Sequence, residues 1–260
     1  MGERIYHTPN LERLLTYSPE LHVLDTPEAV DRFTADQLIG QIQRKPNSVL
    51  TLPTGATPMG MYGLTIEAAS NGLDVSGVTV FNLDEYWPLP EGHPASYARF
   101  MDENFFDHVS IPATQRHIPN CHAASPHAEA DRYEALLRQR QVDLAILGIG
   151  PGDTCHVGFN EKKSGRRSRT RYVELDPQTR DANAQYFPDS SEMPRGAITQ
   201  GVGNILEATR VVLVAKGQGK ARGIQRTIQG PIGPDAPASY LRFHPNVTFI
   251  VDREAASLLQ

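Results

Sequence analysis

At 260 residues, with 39% hydrophobic and 21% charged side chains, the chain is long enough to bury a full core and has the ordinary size of a single α/β domain. A net charge of −5 excludes a general affinity for nucleic acid or for an anionic membrane, since both need a basic field. The two cysteines, Cys121 and Cys155, lie far apart without a CxxC or Cys/His ligand pattern, which excludes a disulfide framework or zinc site and fits a reducing, cytoplasmic setting.

The opening MGERIYHTPNLERLL lacks the apolar core of a signal peptide, and Tyr6 stands where a myristoylation signal needs Ser or Thr. No window approaches the roughly eighteen apolar residues of a membrane span. Thr26 and Pro27 then open a helix carrying Val30, Phe33, Leu38 and Ile42, with Thr26 as N-cap. Residues 48–53 read as a strand, 57–70 as a helix with Thr57 capping and Pro58 in first position, and 78–86 as the next strand. Helices near 95–107 and 126–140 precede strands over 143–150 and 171–175. A short NILEA helix, a strand over 211–217, a helix from near Gly219 and a final strand over 246–251 complete the order, with 229–239 as a surface loop. Strands apolar throughout and separated by helices predict a mostly parallel sheet covered on both faces, in one domain with no linker.

In such a sheet ligands bind beyond the C-terminal strand ends, and four turns lie there. LPTGATP (52–58) runs from strand through glycine to a helix N-terminus and offers free amides to an anion such as phosphate. FNLDEYWPL (81–89) sets Asp84 and Glu85 at a strand end, where alternation lets only one carboxylate face the cleft. PGDTCHVGFNE places Asp153 and Glu161 on either side of His156, a spacing that lets carboxylates orient an imidazole and raise its basicity. KGQGKAR puts Lys220 in the first turn of a helix, a poor place for a cation unless an anion binds there. A plain capped turn, a solvated acidic strand end, a structural histidine and an exposed lysine are the corresponding bland readings.

Familiar signatures are absent. GIGPGD and GVGNIL lack the third glycine of a dinucleotide fingerprint, VAKGQGKA lacks the leading glycine and hydroxyl residue of a P-loop, and neither GxSxG nor HExxH occurs. Nothing in these motifs calls for NAD, ATP or a metal.

Taken together the four turns resemble the glucosamine-6-phosphate deaminase/isomerase family, which includes the 6-phosphogluconolactonases. The resemblance runs through LTLPTGATPMGMY, FNLDEYWPL, HPASYARFMDENFFDHVSIP, HVGFNE, SRTR, TRDAN, ITQGVGNIL, GKA and LRFHPNVTFIVD, and FNLDEY and HVGFNE look like the deaminase branch. It implies a modified Rossmann-like three-layer sandwich and a cofactor-free conversion of glucosamine 6-phosphate and water to fructose 6-phosphate and ammonia, part of amino-sugar catabolism. By the same resemblance Asp84 is the base moving a proton between carbons 2 and 1, while Asp153, His156 and Glu161 open the sugar ring. Thr54, Gly55, Ala56, Thr57 and Lys220 match the substrate-phosphate site, and Arg171 matches an allosteric phosphate position of oligomeric members. The expected partner is a small sugar phosphate, with a homo-oligomer left open.

Two positions depart from the family pattern. The family's Asp-Gly-His is here Asp153-Thr154-Cys155-His156, and Gln185 stands where an arginine usually holds phosphate. A neutral amide does not replace a bidentate guanidinium, which makes Lys162, Lys163, Arg166 and Arg167 of the basic run 162–171 the substitute cations to test. Lactone hydrolysis on a phosphosugar and sugar-phosphate sensing without turnover remain the alternative functions.

Overall fold

A computed structural model describes residue 17 and residues 19–260; the leader and myristoylation readings fall outside the described residues. The chain runs β1 (Glu20–Leu24), α1 (Pro27–Arg44), β2 (Val49–Leu52), α2 (Met59–Ser70), β3 (Thr79–Asn82), β4 (Asp84–Trp87), α3 (Tyr97–Asn104) and β5 (Arg116–His117). It continues with α4 (Pro126–Leu137), β6 (Leu144–Gly148), β7 (Arg171–Glu174), α5 (Pro177–Asn183), β8 (Gly196–Thr199), α6 (Val202–Leu206), β9 (Val211–Ala215), α7 (Ala221–Gln229) and β10 (Val247–Asp252).

Seven strands form one parallel sheet in the order β1-β10-β9-β6-β2-β3-β5. Alternating side chains explain why its central strands are apolar throughout: Leu147 and Leu213 enter one core with Ile205, Ile224 and Leu241, while Ile146 and Val212 enter the other with Val30, Leu38 and Met61. This is the α/β three-layer sandwich expected. Thr26 caps α1 as read, its hydroxyl accepting from the Ala29 amide at 3.2 Å.

The run 78–86 is not one strand. The parallel pairing ends at Asn82, and after Leu83 the chain peels away so that β4 pairs antiparallel with β8 in a second, three-stranded sheet ordered β4-β8-β7. Tyr86, Leu89, Phe159, Leu175, Phe187 and Ala197 make the core of this small sheet. The helix read from 57 starts at Met59: the Pro58 carbonyl accepts the first helical bond, from Tyr62, and no side chain caps the end. Thr57 therefore lies outside α2. The loop read over 229–239 is only half surface, because Pro237, Ala238 and Ser239 are buried in a 3₁₀ turn whose Ala238 amide donates to the Cys155 carbonyl. Neither β1 nor α5 is evident as a periodic segment; β1 is a five-residue edge strand in which Leu21 and Val23 stay exposed.

Candidate active site

The four turns singled out from the sequence follow β9, β6, β2 and β3, four consecutive strands of the parallel sheet. The turns therefore line one edge of the sheet. After β2, Gly55 adopts φ +94°, a left-handed conformation that favours glycine, and none of the amides of residues 54–57 donates to an acceptor among the described residues. The uncapped N-terminus of α2, with no acidic residue in its first turn, stands directly behind. Open amides and the positive helix end make this turn receptive to an anion.

At the end of β3 the two neighbouring carboxylates have opposite fates. Glu85 is fully buried and accepts the amides of Tyr86, Tyr97 and Ala98 at 2.8, 2.9 and 2.8 Å, which ties it to the start of α3. Burial pushes its pKa up to about 7 against the pull of those three donors. The carboxyl of Asp84, a residue 5% exposed, receives no hydrogen bond from the described residues, and burial followed by the charge of Glu85 drives its pKa well above the usual carboxylate range. Such a carboxyl is left open to a donor brought by a ligand.

The turn after β6 lies against this group. Gly158 sits at φ +55°, and a Cβ there would come within 3.1 Å of Asp84 Oδ2 and 2.9 Å of Thr199 Oγ1, so only glycine lets the backbone approach so closely. Two residues earlier, His156 packs its ring over Gly150, where a Cβ would lie 2.1 Å from Cε1. Its Nδ1 is buried without a partner, and burial, then the neighbouring Lys220 charge, bring its pKa down to about 4. The imidazole is therefore neutral at physiological pH and free to accept or relay a proton. Lys220 donates to the Ile149 carbonyl at 2.7 Å, and burial lowers its ammonium pKa to about 8. Among the described residues this half-buried cation has no carboxylate partner, and its turn stands two strands along the sheet edge from the open amides.

The expected flanking of the imidazole is not a contact here. Asp153 turns to Arg226, which lies 3.5 Å from its Oδ2 and donates to its carbonyl at 2.6 Å. Glu161 accepts the Asp176 amide at 2.8 Å through Oε2, leaves Oε1 buried and unpartnered, and is raised in pKa by burial. It thus anchors the entrance of α5. Arg171 donates to Asn160, at 3.0 Å, and to Ser164, at 2.9 Å, within its own chain. Gln185 is exposed and donates to the Ala182 carbonyl. Among the described residues no group of three or more His, Cys, Asp or Glu side chains is arranged to hold a metal ion, and no helix is long and apolar enough to cross a membrane.

Comparison with known proteins gives the family. Residues 25–250 match the family described as glucosamine-6-phosphate isomerases/6-phosphogluconolactonase. The chain belongs to that family. Within it, the chain is 46% identical over 221 residues to a glucosamine-6-phosphate deaminase of Halothermothrix orenii, covering 84% of this chain and 91% of the relative. It is 41% identical over 242 residues to that of Rhodopirellula baltica, covering 92% and 96%. A solved structure of a monomeric glucosamine-6-phosphate deaminase, described as a missing link of the NagB superfamily, superposes with a TM-score of 0.88 at 38% identity over 92% of this chain and 99% of that one. The 6-phosphogluconolactonase of Trypanosoma cruzi shares the fold, with a TM-score of 0.76 at 18% identity over 94% of this chain and 98% of that one.

Against the family frame, the basic run 162–171 divides. Arg169 bonds Glu134 and Glu207, and Arg166 stacks on the Phe243 ring at 4.6 Å. Lys162 and Lys163 remain exposed beside Glu161, and Arg167 is exposed as well. Two residues escaped the sequence reading: Arg226, the partner of Asp153, and Arg180 of α5, whose Nε is buried and unpartnered; Glu85 was read, but not its tie to α3. Only Glu85 left a local signal, since Asp-Glu at a strand end sends its second carboxylate to the opposite face.

Proposed function

We propose that the protein is a glucosamine-6-phosphate deaminase, converting glucosamine 6-phosphate and water to fructose 6-phosphate and ammonia. Identity of 40–46% to deaminases over about nine-tenths of the chain supports the reaction. The observation that carries the mechanism is Asp84, a buried carboxyl without a donor, set on the same rim as a neutral His156, Lys220 and the open amides of 54–57.

In this reading the amides of Thr54, Gly55, Ala56 and Thr57 and the ammonium of Lys220 hold the phosphate, whose binding energy fixes the reacting carbons. His156 passes the proton from the anomeric hydroxyl to the ring oxygen and opens the pyranose, while Asp153 and Glu161 hold the turn around it through Arg226 and the Asp176 amide. The open aldehyde acidifies carbon 2. A substrate ammonium arriving beside Asp84 stabilises its carboxylate and brings its pKa back into working range. Asp84 then takes the carbon 2 proton, giving an enolamine, and returns it to carbon 1, giving an imine. Water adds to the imine and ammonia leaves. With Gln185 neutral, the exposed Lys162 and Lys163 beside Glu161 are the cations to test as its substitutes.

Ammonia release from glucosamine 6-phosphate tests the reading directly. The wild type should turn over, and Asp84→Asn should lose about 10²–10⁴-fold in kcat, the usual worth of a positioned base. Consumption of 6-phosphogluconolactone without ammonia release would instead establish the lactonase reading, and ligand binding without either product the sensor reading.

A further inference from the structure

Moving a proton between adjacent carbons demands that one carboxylate be held to within a fraction of an ångström, since about 1 Å of misplacement costs about a hundredfold in rate. Asp84 occupies an unusual corner for such a task. It is the first residue of β4, and only Leu83 separates it from β3, so residues two positions apart belong to two different sheets. The Leu83 amide donates to Leu52 in the parallel sheet at 3.0 Å, and its carbonyl accepts from the Gln200 amide at 2.9 Å.

Gln200 follows β8 and is 1% exposed. Its Nε2 donates to the Asn82 carbonyl at 3.0 Å, and its Oε1 accepts from the Thr51 hydroxyl at 3.4 Å, so its side chain reaches from the small sheet into the large one. Its own carbonyl accepts from Asn160 Nδ2 at 2.7 Å and Thr199 Oγ1 at 3.2 Å. Thr199 in turn is the ladder partner of Asp84. Tyr133 also reaches the Asn82 carbonyl, at 2.7 Å, and the His117 carbonyl, at 3.0 Å, but neither the Leu83 carbonyl nor Thr51. Among the described residues Gln200 alone binds the carbonyls of both 82 and 83.

We propose that Gln200 is a positioning residue for Asp84: by clamping the corner between the two sheets it sets where the base meets the sugar carbons. The inference rests on the deaminase reading. Gln200→Met keeps length and burial while removing both side-chain hydrogen bonds. It should lower kcat about tenfold or more with KM changed less than about twofold, because the Gln200 side chain bonds the backbone beneath the base and makes no hydrogen bond to residues 54–57. Gln200→Glu supplies a second readout. Its buried carboxyl, when protonated, donates to Asn82 and accepts from Thr51, so its kcat relative to wild type should rise as pH is lowered from about 8 to about 6.

Wild-type kcat in Q200M overturns the proposal, as does a rise in KM that accounts for the loss. Should Q200M fail to fold, Q200E decides alone, and a kcat deficit independent of pH overturns the proposal. A wild type that releases no ammonia overturns the deaminase reading and this proposal with it; an active wild type beside an unimpaired Q200M overturns this proposal alone.

Discussion

Gly150 and His156 show how tightly single positions constrain the site. A Cβ at 150 would stand 2.1 Å from the imidazole, so Gly150→Ala must turn the ring aside. We expect G150A to remain folded by circular dichroism and to lose about tenfold or more in kcat/KM for the closed-ring sugar. His156 also carries a pH signature. Its pKa falls from 6.5 to about 4 on folding, so between those values the unfolded chain holds a proton that the native one does not. Stability from this group is present above pH 6.5 and is lost as pH falls through 4. Relative to His156→Gln, the wild type should therefore lose on the order of 3 kcal/mol between those limits, read from urea midpoints at each pH. At this scale the sequence was partly legible: alternation said that one of Asp84 and Glu85 faces the cleft, and the amides of Tyr86 in β4 and of Tyr97 and Ala98 at the start of α3 decided which.

At the scale of elements the central strands were the most readable, since burial on both faces leaves no polar position along Leu144–Gly148 or Val211–Ala215. Segments that pack on one side only, such as β1 at the sheet edge and the short α5, carry little periodicity. The β3–β4 break was hidden because both halves are apolar or aromatic enough to extend a strand. Glu85 makes the tie between β4 and α3 testable, with the opposite sign to His156. Its pKa rises from 4.5 to about 7 on folding, so its contribution is full below pH 4.5 and is lost as pH rises through 7. The stability of wild type over Glu85→Gln should shrink as pH is raised across that window, measured by urea unfolding. A difference that grows instead would mean that the three amide donors, rather than burial, control this carboxyl.

For the whole molecule, the fused sheets predict joint unfolding. Trp87, the only tryptophan, lies in β4 with its indole N–H donating to Ala123 at 2.8 Å, so its fluorescence reports the small sheet. Far-ultraviolet circular dichroism is dominated by the helices and the parallel sheet. The two signals should follow one urea transition, as expected for a single cooperative domain; an earlier fluorescence change would make the small sheet a separate unit.

The amino-acid sequence by itself determined the layered α/β class, the four working turns and the residue types that give them chemistry, because hydrophobic period and turn residues act over a few positions. Tertiary structure alone decided that those turns share one rim, that Asp153 faces Arg226 instead of the imidazole, and that Gln200 spans two sheets beneath the base. Those outcomes depend on contacts between residues tens to more than a hundred positions apart, for which no local pattern in the chain exists.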